Sequence, residues 1–131
     1  MDNSDFQRIQ HIRECCEDVA RAVKRFGAEQ EIFLSDVDYY KSVSMSIMQI
    51  GELSVGLSDD FKTETENQMQ WALIRGMRNM FAHTYAKMDK ITIWDVATRD
   101  IPNLQHFCDN IIEKNVPERD RVIQSPERDE R

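Results

Sequence analysis

The chain has 131 residues and a formal net charge of −7, with 40% apolar and 31% charged residues. This length fits one domain with its own hydrophobic core, and the acidic balance argues against broad, sequence-independent binding of nucleic acid. Only four glycines and three prolines are present, which favours long helices over many short strands. No apolar run reaches the roughly 20 residues of a membrane span, and the acidic, polar start is unlike a signal peptide. We therefore expect a cytoplasmic protein.

The first predicted helix covers residues 4–27, where apolar residues recur at steps of three and four positions. Ser4 is its predicted N-cap and Gly27 its predicted stop. Cys15 and Cys16 lie within this helix, and with Cys108 they form no pair with metal-ligand spacing. We interpret all three as reduced thiols in or near the core.

The second predicted helix begins at a cap on Ser35 or Asp36 and runs to about Gly56. It follows a connector at residues 29–34 that could form one helical turn. The predicted apolar stripe of this second helix faces inward and begins at Val37. Gly51 lies in its interior, where a glycine costs about 1 kcal/mol relative to alanine. Close approach of a neighbouring helix is the usual reason for such a residue.

The second half of the chain predicts two more helices. A polar connector from residue 58 to about 65 precedes a third helix over 66–82, and residues 84–90 look like a turn. Thr92 could cap a fourth helix over 92–115, with a kink or break at Pro102. The fold prediction is therefore all-α: an up-and-down four-helix bundle over residues 1–116, with an extra short helix allowed. Residues 117–131 predict a charged, disordered tail.

One basic segment interrupts this acidic chain. Residues 71–90 contain Arg75, Arg78, Lys87 and Lys90 but a single acid, Asp89, so they carry a net charge of +3. A basic pocket on an acidic body would admit polyanions only at that place. We expect Arg75 and Lys87 to bind the phosphates of such a polyanion.

The residue types of this segment suit phosphodiester cleavage without a metal ion. The guanidinium of Arg78 offers a planar fork for phosphate oxygens. His83 can move the proton of a ribose 2′-hydroxyl or of the leaving oxygen. Tyr85 can donate to a phosphate or stack on a base, and Asn79 can hold the histidine or a ribose in place. No metal and no cofactor is predicted.

A helical wheel sets a condition on this site. Arg75, Arg78 and Tyr85 fall on one face, whereas His83 lies five residues after Arg78 and about 140° away on an unbroken helix. The two side chains can converge only if the helix ends or unwinds near Ala82, or if a second subunit contributes one of them.

Plainer interpretations stand beside the catalytic one. A lone arginine near a histidine on a helix is commonly an exposed, salt-bridging residue. Trp71 and Trp94 are predicted as core or interface anchors. His11 and His106 have no partners in sequence and are interpreted as structural or surface groups.

The string Arg78-Asn79-Met80-Phe81-Ala82-His83-Thr84-Tyr85 matches the R-x4-H-x-Y signature of HepT-like toxins, and the chain resembles that family of the HEPN superfamily. The resemblance covers roughly residues 5–115. The flanking elements also resemble the family pattern in order: Ile50-Gly51-Glu52-Leu53, Trp71, Trp94 and Asp100-Ile101-Pro102-Asn103-Leu104.

The resemblance implies a helical homodimer that is the toxin of a type VII HepT–MNT toxin–antitoxin pair. It implies a metal-independent ribonuclease acting on tRNA or mRNA, with Arg78 and His83 catalytic at the cleft between subunits and Asn79 in support. The partner it implies is a minimal nucleotidyltransferase (MNT) antitoxin, which silences the toxin by transferring AMP to Tyr85. The alternative is a non-catalytic HEPN-type module that binds a nucleotide or a nucleotidyltransferase partner.

Overall fold

The computed structural model describes residues 1–84 and 89–116, with the backbone alone over residues 80–84. Within these residues the chain forms helices and no strand, so the predicted all-α bundle is confirmed. The elements in order are α1 (Asn3–Phe26), α2 (Gln30–Ser35), α3 (Val37–Val55), α4 (Asp59–Glu64), α5 (Trp71–Thr84), α6 (Lys90–Asp95), a π-helical turn (Val96–Asp100) and α7 (Ile101–Asn115).

The caps of α1 and α3 lie close to the predicted positions. Asp2, two residues before the predicted Ser4, caps α1 by accepting a hydrogen bond from the Ser4 amide at 2.8 Å. Gly27 ends α1 as predicted, with a φ of 116° that L side chains rarely adopt. Asp36 accepts from the amides of Asp38 and Tyr39, which selects Asp36 over Ser35 as the cap of α3.

The connectors contain more helix than the sequence predicts. The stretch at 29–34 forms α2, as the predicted helical turn, and buries Phe33 completely. The stretch at 58–65 is predicted as a polar connector, and this prediction is wrong. Ser58 caps α4 by accepting from the Phe61 amide at 3.2 Å, and the Phe61 side chain is only 6% exposed.

The third predicted helix is shifted along the chain. It begins at Trp71 instead of residue 66, and it continues through Thr84 instead of ending at residue 82. The late start has a local cause, because residues 65–68 form a turn in which Thr65 is buried. The Thr65 hydroxyl oxygen accepts a 2.8 Å hydrogen bond from the indole Nε1 of Trp71, which fixes the first residue of α5.

The last helix runs from Lys90 to Asn115 with a π-helical turn at its middle. Asp89 caps it by accepting from the Ile91 amide at 2.9 Å, so the predicted cap at Thr92 is wrong. The π turn ends at Asp100, two residues before Pro102. Proline cannot donate a backbone hydrogen bond, and π turns are a recognised way for a helix to absorb such an irregularity. The irregularity is thus where the sequence predicted it, but the helix continues.

The core lies where α1 packs against both α3 and α7. Trp71 and Trp94 are 7% and 8% exposed, which confirms them as core anchors. Val37, predicted as part of the inward stripe, is 57% exposed, whereas Tyr39 and Tyr40 of the same turn are buried. Among the described residues, no helix has the length and apolar character to cross a bilayer.

The three cysteines are free thiols, and all are buried. Burial raises the pKa of the Cys108 thiol to about 12 and raises the pKa of Cys16 further above its usual range. The prediction of thiols packed in the core is confirmed, and the raised pKa values describe groups that remain protonated at neutral pH.

Candidate active site

Helices α3 and α5 approach each other closely where Gly51 faces Arg78. A Cβ atom added to Gly51 would lie 2.5 Å from the Cβ of Arg78 and 3.2 Å from its Cα. Any side chain at position 51 would therefore push the two backbones apart. The expected reason for the interior glycine is confirmed, and the neighbouring helix is α5 of the same chain.

The guanidinium of Arg78 is held from two sides. Its Nε donates to Oε1 of Glu52 at 2.7 Å, and its Nη1 donates to Oδ1 of Asn79 at 3.0 Å. A guanidinium has five N–H donors, and these two bonds engage two of them. The N–H groups not used in these two bonds can bind an anion, while the two bonds fix the orientation of the guanidinium.

The described contact of Asn79 differs from the predicted one. Asn79 was predicted to hold the histidine or a ribose, whereas its side-chain oxygen accepts from Arg78. The sequence also gave Glu52 no role, although it stands next to Gly51 in the element that resembles the family pattern. Glu52 and Arg78 are 26 positions apart in the sequence, so no local sequence pattern could predict their contact.

The ion pair between Arg78 and Glu52 does little for stability. The two side chains are 37% and 62% exposed, and exposed pairs contribute about 0–1 kcal/mol. The glycine that permits the close approach costs a similar amount in a helix interior, about 1 kcal/mol. The arrangement therefore fixes the position of the guanidinium without a clear gain in folding free energy.

His83 lies on the last turn of α5, because the helix continues through Thr84. Within the described residues, the helix is not interrupted at Ala82. Positions 78 and 83 of a continuous helix are about 140° apart around its axis. The side chain of His83, and the whole of Tyr85 and Lys87, lie outside the described residues.

Arg75 is exposed one turn before Arg78. It lines a small pocket of about 140 Å³ together with Ser54, Lys62, Trp71 and Ala72. Lys62 was not singled out from the sequence, because it belongs to α4 and reaches this place only through the fold. The two cations come from different helices and face one cavity.

The other side of α5 borders an open groove of about 640 Å³. Its lining is mainly apolar and includes Ile50 of α3, Leu73 and Met77 of α5, Val96 of the π turn and Leu104 of α7. Leu73 is 66% exposed, an unusual exposure for a leucine flanked by so much apolar surface.

The remaining candidate groups lie elsewhere. His11 and His106 are exposed on α1 and α7, in agreement with the surface interpretation. In the part of the chain that the structure describes, no three His, Cys, Asp or Glu side chains are grouped as metal ligands would be.

The sequence matches one family model and is similar to known proteins of two organisms. The family model described as "Ribonuclease HepT-like" matches residues 12–111, which include Gly51, Glu52, Arg78 and His83. A protein of Caldanaerobacter subterraneus subsp. tengcongensis is 29% identical over 106 residues, covering 81% of this chain and 92% of that protein. A protein of Methanocaldococcus jannaschii is 27% identical over 82 residues, covering 56% of this chain and 74% of that protein. Both bear names beginning "Putative RNase". No solved structure matches the chain.

Proposed function

The chain belongs to the HepT-like ribonuclease family, and from this membership we propose that it is the toxin of a HepT–MNT toxin–antitoxin pair that cleaves RNA without a metal ion. The observation that carries the proposal is the fixed guanidinium of Arg78, held by Glu52 and Asn79 at the rim of the α3–α5 contact. A guanidinium fixed before the substrate arrives can stabilise charge that develops on a phosphate during cleavage.

The proposed reaction is the attack of a ribose 2′-oxygen on the adjacent phosphorus. The bond from the 2′-oxygen to phosphorus forms as the bond from phosphorus to the 5′-oxygen breaks. The imidazole of His83 takes the proton of the 2′-hydroxyl or supplies one to the leaving 5′-oxygen, and water exchanges the other proton. Arg78 binds the non-bridging oxygens, which gain negative charge along the way.

We propose that two copies of the chain form the complete site. The support is geometric: α5 is continuous through His83, so positions 78 and 83 of one chain lie on different sides of the helix. The apolar groove beside α5, with its exposed Leu73, offers a surface of the kind that a second copy would cover. A dimer axis beside α5 would let the histidine of one protomer approach the arginine of the other.

Control by the antitoxin is proposed to act on Tyr85. Transfer of AMP to its hydroxyl would add a bulky group and negative charge near a basic segment, and both changes oppose the binding of RNA phosphates. Intact mass of the protein co-expressed with its genomic neighbour tests this. We expect added AMP that maps to Tyr85 and disappears in Tyr85→Phe; an unmodified mass with an active, bound partner would contradict it.

The ribonuclease proposal is tested by expressing the protein alone and following growth and RNA integrity. We expect the wild type to stop growth and degrade RNA, and His83→Ala and Arg78→Ala to do neither. The matched controls are His11→Ala and Arg99→Ala, which remove an exposed histidine and an exposed arginine and should remain toxic. Equal toxicity of wild type and all variants would reject the proposal. Complex formation with the neighbour but no cleavage by wild type would favour the non-catalytic alternative.

A further inference from the structure

The pocket between α3, α4 and α5 has no role in the proposed reaction, yet it adjoins the proposed site. Ser54 of α3 lies one turn beyond Gly51, and Arg75 of α5 lies one turn before Arg78, so the pocket occupies the next step along the same helix contact. Three residues of helix correspond to about 4.5 Å along the axis. His83 lies on the opposite side of Arg78 along α5.

The pocket is lined by two cationic side chains and by the buried side chains of Ser54 and Trp71. Arg75 and Lys62 line its cavity of about 140 Å³. Among the described residues, no carboxylate oxygen lies within ion-pair distance of either cation, in contrast to Arg78 with its partner Glu52. The Lys62 ammonium donates to the carbonyl oxygen of Val55 at 3.5 Å, and two cations of an acidic chain thus line one cavity.

The floor is built from buried polar groups whose hydrogen bonds are already made. The Ser54 hydroxyl donates to the Gly51 carbonyl oxygen at 2.8 Å, and the Trp71 indole donates to Thr65 at 2.8 Å. Ser54 is 2% exposed and Trp71 is 7% exposed. Because the side chains of Ser54 and Trp71 already have hydrogen-bond partners, they need none from a ligand. Recognition of a ligand would therefore depend on Lys62 and Arg75.

We infer that this pocket binds a phosphate of the RNA chain next to the phosphate that is cleaved, with Lys62 and Arg75 as its ligands. This inference rests on the proposed function for the identity of the polyanion. A phosphate group bridged by an ammonium and a guanidinium fits the charge of this pocket. Occupation of the pocket would fix the register of the strand, because the neighbouring phosphate is then delivered to Arg78.

The test uses the full chain and a 2′-O-methyl RNA octamer, which lacks the nucleophilic hydroxyl and so reports binding without cleavage. We expect Lys62→Ala and Arg75→Ala each to raise the Kd several-fold. Each should also reduce the slope of log Kd against log salt concentration by about 0.7, the value for one phosphate contact on a single strand. Lys41→Ala is the matched control, because Lys41 is exposed ten residues before Gly51 on α3 and should change neither quantity.

A substrate series separates this subsite from the proposed reaction. A dinucleoside monophosphate has only the scissile phosphate, so the two variants should cleave it as the wild type does. A longer RNA has neighbouring phosphates, and its kcat/KM should fall in both variants. Wild-type cleavage with unchanged Kd, salt slope and kcat/KM in the variants would reject the subsite and leave the ribonuclease standing. Variant-sensitive binding without any wild-type cleavage would support the subsite and reject the ribonuclease. Failure of the wild type to bind the octamer would reject the subsite.

Discussion

Two helix contacts in this protein are built in opposite ways. The α1–α7 contact is filled with side chains: Cys16 and Cys108 are fully buried, and Arg13 donates across it to Asp109. The α3–α5 contact at Gly51 has no side chain on one helix, and its rim carries exposed, charged groups. The first contact contributes to the free energy of folding, whereas the second positions an arginine. Substitutions in the α1–α7 contact should therefore change mainly stability, and substitutions at the α3–α5 contact mainly activity.

The largest effect on stability is expected in the filled contact. Ile12 is fully buried one turn before Cys16, and Ile12→Ala should lower the free energy of unfolding by about 2–5 kcal/mol because it leaves a cavity. Chemical denaturation at one fixed protein concentration measures this. At a temperature where the variant is still folded, its RNA cleavage should match that of the wild type. A folded variant without activity would contradict the separation.

A smaller loss of stability with a large loss of activity is expected at the close approach. Gly51→Ala should lower the free energy of unfolding by about 1–3 kcal/mol through overpacking, because its Cβ would collide with Arg78. The displacement of Arg78 should abolish cleavage even where the protein is folded.

Gly76→Ala is the control for this change in the same denaturation experiment. A Cβ at Gly76 meets nothing within 4 Å, so this helical substitution should raise stability by about 0.4–1 kcal/mol. Equal shifts for the two glycine variants would show that the contact at Gly51 is not tight in solution.

The smallest effect on stability is expected from the ion pair. Glu52→Gln should change the free energy of unfolding by less than about 1 kcal/mol, since the pair is exposed. It should nevertheless lower kcat by about tenfold, because a guanidinium that is no longer fixed is misplaced in part of the population. Glu31→Gln, an exposed glutamate on α2, is the matched control. Identical kcat values for the two variants would show that Glu52 does not position Arg78.

The large features of the fold could be predicted because they depend on local patterns. The apolar periodicity locates the four long helical segments, and Gly27 and Asp36 end and begin helices by chemistry that is visible within a few residues. The six-residue helix α4 escaped prediction because it is shorter than two helical turns and therefore too short for a periodic pattern. The start of α5 was placed too early because Trp71 is fixed by a hydrogen bond from its own side chain to Thr65.

In the candidate site, too, single residues could be predicted from the sequence, but their contacts across helices could not. Gly51 indicated a close approach and the signature indicated Arg78, but neither identified the other as its partner. Glu52 and Lys62 reach the site only because α3, α4 and α5 pack together, and no spacing along the chain records that packing. The angle between positions 78 and 83 could be predicted as a condition, and the described helix through Thr84 keeps these two positions on different sides of α5.

The π turn at Val96–Asp100 acts as an inserted residue within an otherwise regular helix. A π turn bonds residues five apart where an α turn bonds residues four apart, so every side chain after it is rotated by about 100° relative to an uninterrupted helix. The face that α7 presents to α1, with Cys108 and Asp109, depends on this phase shift. Deleting one residue from the turn would leave the composition of α7 unchanged but direct a different set of its side chains into the core.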